Sequence, residues 1–149
     1  MANQHKVYAY VTHGTQLLVF SHTWSPEAGI QVPGGSVKLD ESPHDAVMRE
    51  VFEESGLAGW DLIAFLGETR FRRASAGSET IVSRRFYHLR LRGMPPSAWR
   101  HWETDPSERE TTPIPFDFFW IDLSNEIPAL AADLGKMIPQ LLSSLTFSS

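Results

Sequence analysis

Three glutamates carry most of the chemistry open to this chain. Glu50, Glu53 and Glu54 stand at i, i+3 and i+4, a spacing that gathers side chains on one face of an α-helix. At roughly 100° per residue, with Glu50 set at 0°, Glu54 falls near 40° and Glu53 near 300°. Like charges so placed repel by roughly a few tenths of a kcal/mol per pair. A divalent cation converts that repulsion into coordination, and clustered carboxylate oxygens suit Mg²⁺, Mn²⁺ or Ca²⁺ far better than Zn²⁺. The competing reading is a solvated acidic face.

The flanking residues say which element must hold these groups. Ser42 is a good N-cap, Pro43 suits the first helical position, and Asp45 is a short form of the capping-box acid. Gly56 fits the left-handed residue that closes a helix, so a helix is predicted over residues 43–55. Val47, Met48, Val51 and Phe52 fall between about 60° and 200° and form the stripe expected to meet a core. Ala46 lies among the carboxylates, where a small side chain leaves room. Upstream, Pro33-Gly34-Gly35 is a turn whose glycines permit a close backbone approach to a ligand.

Taken whole, the segment resembles the Nudix box, G-x5-E-x7-R-E-U-x-E-E-x-G-U, where U is bulky and apolar. Gly35, Glu41, Arg49, Glu50, Val51, Glu53, Glu54, Gly56 and Leu57 fill all nine specified positions without a gap. The resemblance implies an α/β/α sandwich with a mixed sheet between helices, an α+β architecture. It also implies metal-dependent hydrolysis of a phosphoanhydride bond in a nucleoside diphosphate derivative or a nucleoside triphosphate, with Mg²⁺ or Mn²⁺ as cofactor. Glu53 and Glu54 are then metal ligands, and Glu50 binds metal or accepts a proton from water. The Gly34 carbonyl adds a ligand, and Glu41 sits nearer the edge of the site. Arg49, near 260° on the helix, stands where its fork can orient Glu50 or Glu53. Family members also draw a general base from a loop outside the box. Here the candidates are Glu103, Glu108 and Glu110, with Glu103 the first choice and Glu50 the default.

Substrate contacts are read from a local excess of positive charge. Arg70, Arg72 and Arg73 near the end of one predicted strand, with Arg84 and Arg85 on its neighbour, form a basic cluster able to grip phosphates distal to the metal. Strand alternation puts Arg70 and Arg72 on one face and Arg73 on the other, and cross-strand pairing with acids is the alternative use. Lys38, after the glycine turn, is a further phosphate candidate. His22, Trp24, Phe71, Trp99 and Trp102 are the candidates to stack on a base. His5, His13, His44, His88 and His101 show no metal spacing. Residues 58–81 lack the proline or tyrosine that marks relatives specific for ADP-ribose or dinucleoside polyphosphates. Nucleoside triphosphates, nucleotide sugars, capped RNA ends and oxidised nucleotides stay open. A nucleotide-sensing module without turnover is the alternative function, disfavoured because every acidic position of the box is intact.

Composition sets the outer bounds. A chain of 149 residues fits one domain, expected over residues 1–149, and is long enough to bury about two-thirds of its unfolded surface. The net charge of −5 argues against nonspecific binding to nucleic acid or membranes. With no cysteine there is no disulfide frame, thiol nucleophile or cysteine zinc site, which suits a reducing cytoplasm. No signal-peptide core or run of transmembrane length is found. A homodimer is left open by the family resemblance. In order, strands are expected over residues 6–12, 16–20, 30–32, 60–71, 80–92 and 116–123. A loop is expected over 21–29 and a short helix over 96–102. A final helix over 128–145 is expected to be interrupted near Pro139.

Overall fold

A computed structural model describes residues 2–103 and 113–145. The first strands, β1 (Ala2–His13) and β2 (Gln16–His22), close the expected hairpin through Gly14 at φ 62°. The glycine turn is itself a strand, β3 (Gly34–Ser36), paired with β1 from Lys6 to Tyr8. The strand expected over 30–32 reduces to one bridge between Gln31 and Phe20. The helix α1 (Pro43–Ser55) begins and ends as its caps dictate. Ser42 accepts from the Asp45 N–H, and Gly56 at φ 75° donates its N–H to the Phe52 carbonyl.

β4 (Trp60–Ser75) and β5 (Ser78–Leu91) form a long hairpin closed by Ala76 and Gly77. Register shifts between Leu62 and Ala64 and between Phe65 and Gly67 bend β4. The short helix expected over 96–102 is a strand, β6 (Ala98–Glu103), paired along its length with β7 (Ile114–Asp122). Its burial alternates residue by residue, the period of a strand edge rather than a helix. The final helix is also shorter than its apolar pattern suggests. A 3-10 turn at Ala131–Asp133 contains Ala132 and Asp133 at φ 54° and 61°, and α2 (Ile138–Leu145) starts only at Ile138. Pro139 therefore lies in the first turn, where its missing N–H costs no helical hydrogen bond.

The strands join in the order β4-β5-β1-β2-β7-β6, with β3 beside β1. β1 and β5 run parallel and the remaining pairs antiparallel, so the sheet is mixed. Alternation on β1 sorts the core into two layers. Val7, Ala9 and Val11 pack with Ala46, Val47 and Val51 of α1, while Tyr10 packs with Ile138 and Leu141 of α2. Fully burying side chains such as Val47 and Val51 contributes about 1.5–3 kcal/mol each, which fixes α1 on the sheet. Helices on opposite faces of the sheet complete the expected α+β sandwich.

The face that α1 buries is rotated from the expected stripe. Ala46, Val47, Glu50, Val51, Glu54 and Ser55 are the buried residues, while Phe52 is 56% exposed. The buried arc thus centres on about 50° rather than 130°. Two of the three glutamates lie inside it.

Candidate active site

The buried glutamates are received by the glycine strand. Gly34 donates its N–H to Glu54 Oε1 at 2.6 Å. A Cβ on Gly35 would overlap the Glu50 carboxyl, and one on Gly34 would overlap the Tyr8 ring and the Val7 carbonyl. Close passage of backbone over carboxylates, rather than an unusual dihedral, is therefore why β3 reads Gly-Gly. Glu50 and Glu54 are each 7% exposed. Burial raises the Glu50 carboxyl to about 7, opposed by Arg49, and raises Glu54 well above the usual carboxylate range with help from Glu103.

Glu103 is the third member of the cluster. One carboxylate oxygen from each of Glu50, Glu54 and Glu103 lies within 4.8 Å of the others. The strand β6 brings it there. Trp99 Nε1 donates to the Ser55 carbonyl at 2.8 Å and His101 Nε2 to the Glu53 carbonyl at 3.1 Å. These are among the last carbonyls of α1, which have no partner within the helix. Trp99, His101 and Glu103 share one face of β6. Glu108 and Glu110 lie outside the described residues.

Glu53 is bonded to Arg49 beside Glu50. Arg49 donates through Nη1 to Glu53 Oε1 at 2.7 Å and to Glu50 Oε1 at 2.9 Å. Its Nε and Nη2 form a fork on Glu41 at 2.8 and 3.0 Å, and Nη2 also reaches the Ser36 carbonyl. Charge-assisted bonds of this kind hold Glu41 below, and Arg49 above, their ordinary pKa values. Arg49 thereby joins the loop before the helix, the end of β3 and two acidic side chains into one rigid unit.

The predicted phosphate contacts divide by face. Arg70 pairs with Glu68 at 2.6 Å and Arg72 with Glu79 at 3.6 Å, while Arg85 approaches the same Glu68 at 3.5 Å. Arg84 points to the other face, with its guanidinium 5.0 Å from the Phe71 centroid and 5.5 Å from that of Tyr8. Its Nη1 donates to the Ala132 carbonyl at 2.5 Å, and its Nε is buried with no hydrogen-bond partner. A cleft of about 590 Å³ opens here, lined by Thr69, Phe71, Arg84, Ala132, Asp133 and Lys136, with Arg70 at its edge. Lys38 is exposed on the loop ahead of α1, where its N–H donates to Glu41.

Tyr8 joins cleft to cluster. Its ring abuts Gly34 and lies under Arg84, and its hydroxyl feels both Arg84 and Glu54 although burial dominates its raised pKa. Nothing in the sequence singled it out beyond its place on an alternating strand. Among the aromatic candidates, Trp99 is stacked on Phe118 and His22 sits edge-on to Phe116. Trp24 and Trp102 form an exposed T-shaped pair with centroids 5.7 Å apart, and Phe71 lines the cleft.

The donor set fits a hard divalent cation. Three carboxylates, two of them buried, bring one oxygen each within 4.8 Å of the others, and oxygen-only donor sets suit hard cations rather than softer metals.

Fold and site together define a pyrophosphohydrolase of the Nudix class. Comparison with known proteins agrees: the family model described as the NUDIX domain matches residues 3–141. The chain is 33% identical over 143 residues to "Putative 8-oxo-dGTP diphosphatase 2" of Mycobacterium tuberculosis, covering 91% of this chain and 99% of the relative. The MutT NUDIX hydrolase from Burkholderia pseudomallei superposes with a TM-score of 0.61 at 20% identity, over 95% of this chain and 99% of that one. The E. coli ORF135 protein superposes with a TM-score of 0.60 at 18% identity, over 99% and 94%. The chain belongs to the Nudix family.

Proposed function

We propose that the protein hydrolyses a phosphoanhydride bond in a nucleoside triphosphate or nucleoside diphosphate derivative, using Mg²⁺ or Mn²⁺. The observation that carries this reading is the convergence of Glu50, Glu54 and Glu103 from two separate elements, with Glu50 packed against the side-chain-free backbone of Gly35. These residues, with the Gly34 carbonyl, would hold the ion. A bound divalent cation supplies charge neutralisation for a diphosphate and lowers the pKa of an attacking water.

The rest falls to the chain's own groups. Arg49 keeps Glu50 and Glu53 in fixed orientations, so the site needs no rearrangement when substrate arrives. Glu103, which would offer one carboxylate oxygen to the ion, keeps the other to take the proton released as water oxygen bonds to phosphorus, while the bridging P–O bond breaks and its electron pair leaves with the departing phosphate. Arg84 lines the cleft and places a fixed positive charge there that attracts a substrate phosphate. The cleft volume matches that of small-molecule sites. The M. tuberculosis relative makes 8-oxo-dGTP the first compound to test.

The experiment is a panel of nucleoside triphosphates, including 8-oxo-dGTP, and nucleotide sugars, incubated with Mg²⁺ or Mn²⁺ and assayed for released nucleotide and phosphate. Turnover that EDTA abolishes and that falls by roughly a thousandfold in Glu54→Gln supports the reading. Nucleotide binding without turnover across the panel would turn the assignment to a sensing module.

A further inference from the structure

The cluster draws one of its three carboxylates from β6, an edge strand whose only strand partner among the described residues is β7. Something must set how far that strand leans toward the helix, because Glu103 has to arrive within 4.8 Å of two carboxylates that repel it. From β6, Trp99 and His101 both bond to α1, at successive inward positions of the strand. Trp99 also stacks on Phe118 with planes 9° apart, so it belongs to the core. His101 is the nearer anchor, two residues from Glu103 on the same face, a separation of about 6.6 Å.

The helix is shaped to receive this ring. Gly56 follows the last residue of α1, and a Cβ there would lie 2.9 Å from His101 Cε1 and Nδ1. Its positive φ of 75° already favours glycine as the helix closes. The absent side chain meets a second demand, because it lets the imidazole slide over the helix end and donate Nε2–H to the Glu53 carbonyl. The β6 contacts thus step backward along the helix: Trp99 at Ser55, His101 at Glu53, Glu103 at Glu50 and Glu54.

We propose that His101 is a positioning residue: its hydrogen bond to the Glu53 carbonyl, over the bare face of Gly56, delivers the Glu103 carboxylate to Glu50 and Glu54. The inference rests on those three carboxylates being the metal site. His101 touches neither substrate nor ion and works through Glu103 alone, as ligand-orienting groups in metal sites do.

Mn²⁺ binding to the nucleotide-free protein, followed by electron paramagnetic resonance, tests it alongside kcat and KM for 8-oxo-dGTP. His101→Ala should weaken Mn²⁺ binding by ~10-fold, within the 10- to 100-fold range of such supporting contacts, with KM unchanged. His101→Gln, whose amide can reach the same carbonyl, should restore affinity to within about threefold, whereas the shorter His101→Asn should not. In a Glu103→Gln background, His101→Ala should add less than a twofold loss, since the group it positions is already gone. His101→Asn stands in if the alanine variant does not fold. If Glu103→Gln itself leaves Mn²⁺ affinity unchanged, the three-carboxylate site is wrong. If Glu103→Gln weakens binding while His101→Ala and His101→Asn do not, or if either loss persists undiminished without Glu103, the positioning role is overturned.

Discussion

Replacing Glu50 by glutamine removes one charge from the cluster while keeping an oxygen for Arg49. In the metal-free protein the Glu50 carboxyl titrates near 7 rather than 4.5, chiefly because it is buried. At about 1.4 kcal/mol per pH unit, that displacement corresponds to roughly 3 kcal/mol. Its sign follows from proton uptake. Between 4.5 and 7 the folded state holds the proton more tightly than the unfolded chain, so this stabilisation is complete below about 4.5 and lost as pH rises through 7. Metal-free wild type at pH 8 should therefore be less stable than Glu50→Gln by about 3 kcal/mol, and the two should converge toward pH 5. For a chain of this size 1 kcal/mol moves Tm by about 2–4 °C, so a gap of roughly 6–12 °C is expected. Thermal unfolding in EDTA from pH 5 to pH 8 measures it. Adding Mg²⁺ at ~100 times Kd should return about 2.7 kcal/mol to wild type at pH 8 and far less to the variant. Parallel pH profiles for the two proteins, with equal responses to Mg²⁺, would refute the idea that Glu50 is a desolvated ligand carboxylate.

Three further outcomes follow from other parts of the molecule. Arg49→Lys keeps the charge but cannot form the fork on Glu41 or hold Glu50, Glu53 and Ser36 at once. It should lower stability by about 2 kcal/mol, read as a lower urea midpoint with unchanged m. His88 is buried, its Nε2 bonded to Thr12 at 2.7 Å and its Nδ1 without a partner, and burial depresses its imidazole to about 4. The unfolded chain takes up that proton near 6.5, so stability should fall by roughly 3 kcal/mol as pH drops from 6.5 toward 4. His88→Gln should flatten that slope in urea titrations. Arg84→Ala should raise KM for the nucleotide by about tenfold, whereas Arg72→Ala, whose partner is Glu79 on the opposite face, should leave KM within about twofold in the same steady-state assay.

Where sequence reading reached the structure, the signal was local. Ser42, Pro43 and Gly56 end the helix where they stand because caps act on backbone groups within one turn. The box spacing likewise put Glu50 and Glu54 on one arc, since helical geometry depends only on residue separation. Local rules failed where long-range pairing decided. The helix expected over 96–102 gave way to the strand Ala98–Glu103 because β7 supplies a hydrogen-bonding edge, and the apolar pattern over 128–145 yielded a helix only from Ile138.

The amino-acid order alone determined a capped acidic helix after a glycine turn, and with it the Nudix family. Only the tertiary structure decided that Arg49 ties Glu53 to Glu50 while β6 brings Glu103 beside Glu50 and Glu54. It likewise decided that Arg84 faces the cleft while Arg72 meets Glu79. The physical reason is the same in each case. Helical periodicity fixes an angle about one axis, but which carboxylates meet depends on how β6 packs beside α1, which brings together residues about 50 positions apart in the chain.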